Sequence, residues 1–397
     1  MKSLKVFLGK RRVGTVSLLP GELTLFAFDE DYYADPNRPV LSQSYLTKSG
    51  QLRQDTRPTK TRLPPWFSNL LPEGRLRDYL ASTAKVNPRR EYPLLAILGA
   101  DLPGAVTVEA EEDASAEENV IREDQGPLRF SLAGVQLKFS ALLDRRGGLT
   151  IPASGMGGNW IVKLPSPNYP AVPENEAAML SLAQSVGIEV PEHRLILVDE
   201  IRGLPPLRPF SGKKALALRR FDRGDSGPVH MEDFAQVFGV FPEEKYEKVG
   251  YARIAEMIGI VLGGAAAQDF VARLSFAVAT GNGDMHLKNW SLLYPDETTP
   301  QLSPAYDLVS TIAYLPEDRL ALNFAGEKDF DRIGLERFQR LAENAALPRR
   351  ETTATAKRIF EAVAENWPAI RRKSEVPTEI AKKIDAHIRG IATKAAK

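Results

Sequence analysis

The chain has 397 residues, 43% hydrophobic and 26% charged, which is the profile of an ordinary globular protein with room for roughly two or three domains. Its 52 basic and 51 acidic side chains leave a net charge of +1, so no global field points to nucleic acid or to an anionic membrane. It has no cysteine, which excludes disulfides, thiolate nucleophiles and cysteine-ligated zinc or iron–sulfur sites.

The apolar run before Lys10 is too short for a signal peptide. Residues 254–280 form the longest apolar region, but Glu256, Gln268, Asp269 and Arg273 interrupt it, so it reads as buried helix and not as a membrane span. Cytoplasmic residence without membrane association is the expectation. Residues 5–8, 13–18 and 22–28 read as strands, separated by turn signals at Gly9-Lys10 and Leu19-Pro20-Gly21. Trp66, Phe67, Leu70 and Leu71 read as core or as packing between lobes, and Pro72 suits the first turn of a helix that residues 75–81 continue. Glu111-Glu112-Asp113 and Glu117-Glu118 then mark an acidic, solvated stretch. These signals divide the chain into a β-rich unit at 1–110, a linker at 111–127, a mixed α/β region at 128–225 and a mostly helical region at 226–397.

In the mixed region, strands are expected at 139–143, 159–164, 195–198 and 215–221, with a helix at 174–186 ended by Gly187. From Met231 onward the pattern is helical except for 281–312, where 291–294 reads as a short strand. An α+β chain with a β-containing lobe followed by a helical lobe, and an acidic motif early in the second, has the order of a two-lobed protein kinase.

That motif is Gly281-Asn282-Gly283-Asp284-Met285-His286-Leu287-Lys288-Asn289, followed by Pro304-Ala305-Tyr306-Asp307. Kinases space an Asp, an Asn and a second Asp in this way. The first Asp takes the acceptor proton, and the other two residues hold magnesium against the nucleotide phosphates. Asp284, Asn289 and Asp307 fit those roles in chain order. Asp284 also suits an Asx-turn and Asp307 a helix N-cap. Lys163, on the apolar strand Trp160-Ile161-Val162-Lys163, fits the lysine that grips the α- and β-phosphates, with Glu176 as helical partner and Glu174 as the alternative. The competing reading of Lys163 is an edge-strand lysine with its head in water. Phe221 is expected near an adenine pocket, and His286 either tunes Asp284 or packs the loop. Ser131-Leu132-Ala133-Gly134-Val135-Gln136-Leu137-Lys138 is no Walker loop, but Gly134 would let backbone approach phosphate.

The chain resembles the HipA family, the kinase toxins of bacterial HipA–HipB toxin–antitoxin pairs. The resemblance runs through Val13-Gly14-Thr15-Val16, Phe67-Ser68-Asn69-Leu70-Leu71-Pro72-Glu73-Gly74, the Ser131–Lys138 run, Val162-Lys163-Leu164-Pro165 and Glu174-Asn175-Glu176. It continues in Arg220-Phe221-Asp222-Arg223, His230-Met231-Glu232-Asp233-Phe234, Lys245-Tyr246-Glu247, the Asp284 motif and Tyr306-Asp307-Leu308-Val309-Ser310. The resemblance implies a HipA-type, protein-kinase-like fold: an N-terminal β-rich subdomain, an α/β ATP-binding lobe and a helical C-terminal lobe. It implies an ATP- and Mg2+-dependent serine/threonine protein kinase with Asp284 as base and with Asn289 and Asp307 on the metal. Lys163, Glu176, Phe221, Ser131, Gly134, Lys138 and His286 would line the nucleotide site. Ser131 matches the serine that such kinases autophosphorylate to inactivate themselves. A phosphate there adds a charge of about −2 beside Asp284 and Asp307.

The implied protein substrate is an aminoacyl-tRNA synthetase, glutamyl-tRNA synthetase first, with arrest of translation as the outcome. The implied partner is a HipB-like helix-turn-helix antitoxin, through which alone DNA would be met. Met285 and Leu287 are bulkier than is common inside the motif, and Arg219 stands where an acidic residue can occur. Alternatives are a small-molecule kinase of the same fold and a non-catalytic, HipB-binding transcriptional co-regulator.

Overall fold

The computed structural model of the chain describes residues 2–53, 57–111, 138–143, 149–151, 157–204 and 212–395. Ser131, Gly134 and all but the first residue of the expected acidic linker lie outside the described residues.

An antiparallel five-stranded sheet opens the molecule, in the order Thr59–Lys60, Leu23–Phe28, Arg11–Leu19, Lys2–Leu8, Val106–Ala110. Its period-two alternation puts Leu4, Val6, Leu8, Val16, Phe26 and Val108 on one buried face. Helices Pro65–Ser68, Gly74–Thr83 and Glu91–Leu98 close that face with Trp66, Phe67, Leu80 and Leu95. Each such buried side chain contributes about 1.5–3 kcal/mol. Gly14 is needed for close approach: a Cβ there would stand 2.3 Å from the Ala27 carbonyl oxygen.

A second five-stranded sheet runs Leu149–Thr150, Lys138–Leu143, Trp160–Lys163, Lys214–Arg219, His193–Leu197. Its register sets Lys163 between Lys138 and Leu216. The helix Val172–Ser185 packs on it through Ala178, Met179 and Leu182, and the chain leaves that helix through Gly187 at φ 85°.

The remainder is built around the helix Gly264–Thr280, which is buried along almost its whole length from Ala267. Helices Tyr251–Val261, Arg349–Lys373 and Thr378–Ala395 pack against it, and Leu335–Asn344 packs on the first two of these. Its one buried cation, Arg273, reaches Asp269 at 2.6 Å and the Ser303 carbonyl at 2.5 Å. No helix among the described residues is long and apolar enough to cross a membrane.

The α+β class is as expected, and the structure moves three elements. His230–Asp233 is a strand where the pattern read as helix; it pairs with Ser291–Tyr294, which pairs with Gln301–Leu302. The helix expected to begin around Pro72 starts at Gly74, because Glu73 stays extended and turns its carboxylate toward Lys245 and Lys288. The strand expected to reach Phe221 stops at Arg219, because Arg220 leaves the ladder for a buried ion pair with Asp222 at 2.7 Å.

Candidate active site

Lys163 is 4% exposed and held from two sides. Its Nζ donates to Glu176 Oε1 at 2.5 Å and to Asp307 Oδ1. An ammonium in this position is tolerable only because it is paired. Burial works to lower the Lys163 pKa, but Asp307 and Glu176 override it and hold the group charged. Burial likewise works to raise Asp307, and Lys163 overrides it, holding that carboxyl below the usual range. Glu176 is fully buried, and burial wins there, pushing its carboxyl up. Glu174 lies outside this set. Beside Lys163, burial pushes Lys138 down, with Asp307 opposing.

Local structure explains the convergence. Asn175 exchanges two hydrogen bonds with the Ser310 backbone, each 3.1 Å, and so ties the Val172–Ser185 helix to the segment after Asp307. Asp307 has φ 54°, a left-handed conformation rare for a non-glycine residue. Strain of that kind persists where the surroundings over-determine it. Asp307 caps no helix; the next turn of helix is Thr311–Ala313.

The Asp284 loop begins where Gly281, at φ 66°, ends the central helix. Asn282 Oδ1 accepts from the Asp284 backbone at 3.0 Å, forming the expected Asx-turn, and Thr311 Oγ1 accepts from Gly283 N at 2.7 Å. Met285 and Leu287 are buried, and the Met285 carbonyl accepts from Tyr251 Oη at 3.0 Å, so their bulk anchors the loop in the helical core. Asn289 Nδ2 donates to the Asp284 carbonyl at 2.7 Å, which commits its amide nitrogen and fixes the side chain's orientation. Asp284 opens onto the cleft while protein crowds its other sides. That enclosure pushes its carboxyl up to about 6; Tyr246, donating to Oδ1 at 2.8 Å, works against the rise, and Asp307 adds to it. His286 is buried, and burial followed by Lys245 lowers it to about 3, so it is neutral.

Lys138, Lys163, Asp284, His286, Asn289, Asp307 and Phe221 line one cavity of about 440 Å³. At one end Phe221 meets Tyr306, ring centroids 5.4 Å apart. Tyr169 and Tyr314, ring centroids 5.5 Å apart, line the cavity as well. Ser131 and Gly134 cannot be placed, because they lie outside the described residues.

Residue patterns missed four participants. Asn69, Leu70 and Glu73 of the N-terminal unit line the same cavity. Glu73 binds Lys245 at 2.7 Å and Lys288 at 2.9 Å; burial works to raise it, and the two lysines pull it down to about 2. Tyr246 touches Asp284 itself. The partners lie 172, 215 and 38 positions apart, beyond any local pattern. The one signal was that Glu73 and Lys245-Tyr246 fall in runs that carry the family resemblance.

Two family models match the chain: the HipA N-terminal domain over residues 4–109 and the HipA-like C-terminal domain over residues 130–367. The chain is 48% identical to a Sinorhizobium fredii protein named "Putative kinase Y4dM", across 94% of this chain and 93% of that protein. It is 26% identical to the serine/threonine-protein kinase toxin HipA of Shewanella oneidensis, across 91% and 89%. A solved structure of the Shewanella oneidensis HipA, HipB and operator DNA complex superposes with a TM-score of 0.75, at 22% identity, covering 98% of this chain and 96% of that one. Two matched domains in the right order, a relative at nearly half identity and a shared fold establish that the chain belongs to the HipA family of serine/threonine protein kinases.

Proposed function

We propose that this chain transfers the γ-phosphate of ATP to a serine or threonine hydroxyl of a cytosolic protein. The observation that carries the proposal is Lys163, clamped by Glu176 and Asp307 on the wall of a cavity that Asp284 and Asn289 also line. Lys163 grips the α- and β-phosphates, and Glu176 keeps it aimed. Lys138 stands beside it at the same register position. Asp284 takes the proton of the acceptor hydroxyl as its oxygen attacks the γ-phosphorus; the bond to the bridging oxygen breaks, and ADP leaves.

Among the described residues no group of three or more His, Asp or Glu is placed to hold a metal. That suits magnesium, which takes one or two protein ligands and completes its shell with phosphate and water. Asn289 and Asp307 would hold it, and when bound it would neutralise charge on the β- and γ-phosphates. His286 Nδ1, buried at the cavity wall and without a protein partner among the described residues, adds a polar atom fit for a phosphate oxygen.

The finer reading rests on the family. An aminoacyl-tRNA synthetase, glutamyl-tRNA synthetase first, is the candidate substrate, and arrest of translation the outcome. Self-phosphorylation on Ser131 is the candidate off-switch. A HipB-like antitoxin is the candidate partner, supported by the Shewanella complex, and DNA is met only through it.

Intact-mass spectrometry after incubation with ATP and magnesium tests the proposal. Wild type gains one phosphate, mapped to Ser131, and Asp284→Ala gains none. Phosphate gain retained in Asp284→Ala removes that residue as the base.

A further inference from the structure

The catalytic carboxylate does not face an empty cleft: Tyr246 Oη donates to Asp284 Oδ1 at 2.8 Å. A general base must lie within about 2.6–3.2 Å of the hydroxyl it deprotonates. The phenol therefore sits where an acceptor hydroxyl has to sit on that oxygen. We propose that Tyr246 is a stand-in for the acceptor: its hydroxyl occupies Oδ1 of the otherwise exposed Asp284 at rest and is displaced by the incoming serine or threonine. The proposal rests on reading Asp284 as the base, and it assigns regulation of that same site.

The surroundings of Tyr246 fit a movable cap on a fixed hinge. Its backbone is anchored: the neighbouring Lys245 is 5% exposed and bound to Glu73 at 2.7 Å, and the Lys245 carbonyl accepts from Leu287 N at 3.4 Å. Its ring is not. Tyr246 is 37% exposed, whereas Met285 and Leu287 in the facing loop are buried. The ring leans edge-on against His286, centroids 5.0 Å apart at 80°, and Lys245 Nζ lies 5.5 Å from its centre. Such contacts hold a ring by about 1 kcal/mol each. Rotation about the side-chain bonds alone withdraws the hydroxyl without disturbing the core.

A cap of this kind serves an enzyme that meets ATP continuously and its protein acceptor rarely. With ATP bound and no acceptor, water is the competing nucleophile. Its oxygen would attack the γ-phosphorus, its proton would pass to Asp284, and the bridging bond would break to give ADP and inorganic phosphate. The hydrogen bond already on Oδ1 has to be broken before water can take that position.

The test is inorganic phosphate release by the full chain with ATP and magnesium and no protein acceptor, in wild type, Tyr246→Phe, Tyr246→Ala and Asp284→Ala. Nucleotide affinity and thermal stability are measured alongside. The cap predicts release about tenfold faster than wild type in Tyr246→Phe, the factor one net hydrogen bond is worth. Tyr246→Ala is at least as fast, and Asp284→Ala stays at background. Release at or below the wild-type rate in both Tyr246 variants, with ATP affinity retained, overturns the cap and leaves the hydroxyl as a positioning group only. Recovery of phosphate on Tyr246 by peptide mapping also overturns it, since the phenol would then be an acceptor. If neither wild type nor any variant binds ATP, the kinase reading fails first and the cap with it.

Discussion

Lys163 shows how one side chain carries both cost and use. Its ammonium is buried, and Glu176 and Asp307 hold it charged by mutual attraction. Neither carboxylate alone would give both a fixed aim and a link to the segment that carries Asp307. Lys163→Met keeps the volume of the stem and removes the charge. ATP turnover should fall by about a hundredfold or more, the scale of losing one electrostatic contact to the transferring group, while a fluorescent-nucleotide titration shows weakened binding. Turnover within a few-fold of wild type would leave Lys163 as a structural ion-pair partner only. Lys163, Asp284, Asn289 and Asp307 were legible because each belongs to a short run with a recognisable pattern. Whether Glu174 or Glu176 faces Lys163 was not. That choice depends on the helix rotation set by Asn175 and its bonds to Ser310, a partner 135 positions away.

At the scale of elements, the informative joint is Arg220-Phe221-Asp222-Arg223, which leaves the second sheet and contacts the N-terminal unit. Asp222 accepts from Arg220 at 2.7 Å, from Arg223 at 2.8 Å and from the Gly104 backbone at 2.9 Å. Arg223 also reaches Asp101 at 2.9 Å. Asp222→Asn would leave two guanidinium groups short of their shared counter-charge in a buried place. Urea unfolding should show a loss of about 3 kcal/mol, with Phe221 loosened at the cavity edge. A loss under about 0.5 kcal/mol, the size of a surface substitution, would contradict this account of the joint. Most strands and helices were readable from period and punctuation. His230–Asp233 was not, since its four residues are too few to show a period and its strand identity comes from pairing with Ser291–Tyr294. The end of the Lys214–Arg219 strand was equally hidden, because the competing attraction is an ion pair.

Across the whole molecule, the N-terminal unit and the helical lobe meet at Glu232. This fully buried carboxylate accepts from Ser42 Oγ at 2.5 Å, Gln43 N at 2.9 Å, Trp66 Nε1 at 3.3 Å and Tyr294 Oη at 2.6 Å. Burial pushes it up to about 7 despite those four donors, of which Ser42 opposes the rise most. A raised folded-state pKa means the folded protein binds the proton more tightly than the unfolded chain does. The stability from that proton is full below about 4.5 and is lost as pH rises through about 7. Glu232→Gln has no such proton. Its stability relative to wild type should therefore improve between pH 5 and 8, by about 2 kcal/mol on the pKa difference. Paired denaturant titrations check this; a difference independent of pH would remove Glu232 as the titrating group. The division into a β-rich start and a helical end was visible in composition, but this contact was not, because Ser42 and Trp66 lie 190 and 166 positions from their acceptor.

The way the N-terminal unit meets the rest bears on how members of this family can be recombined. Glu73 and Gly104 come from one side of that boundary, Lys245, Lys288 and Asp222 from the other, and Glu73 meets both of its lysines only across it. A chimera that took its first sheet from a relative would be accepted or rejected on those few atoms. The two halves behave as lock and key cut from one chain, and the Asp284 loop is part of the key.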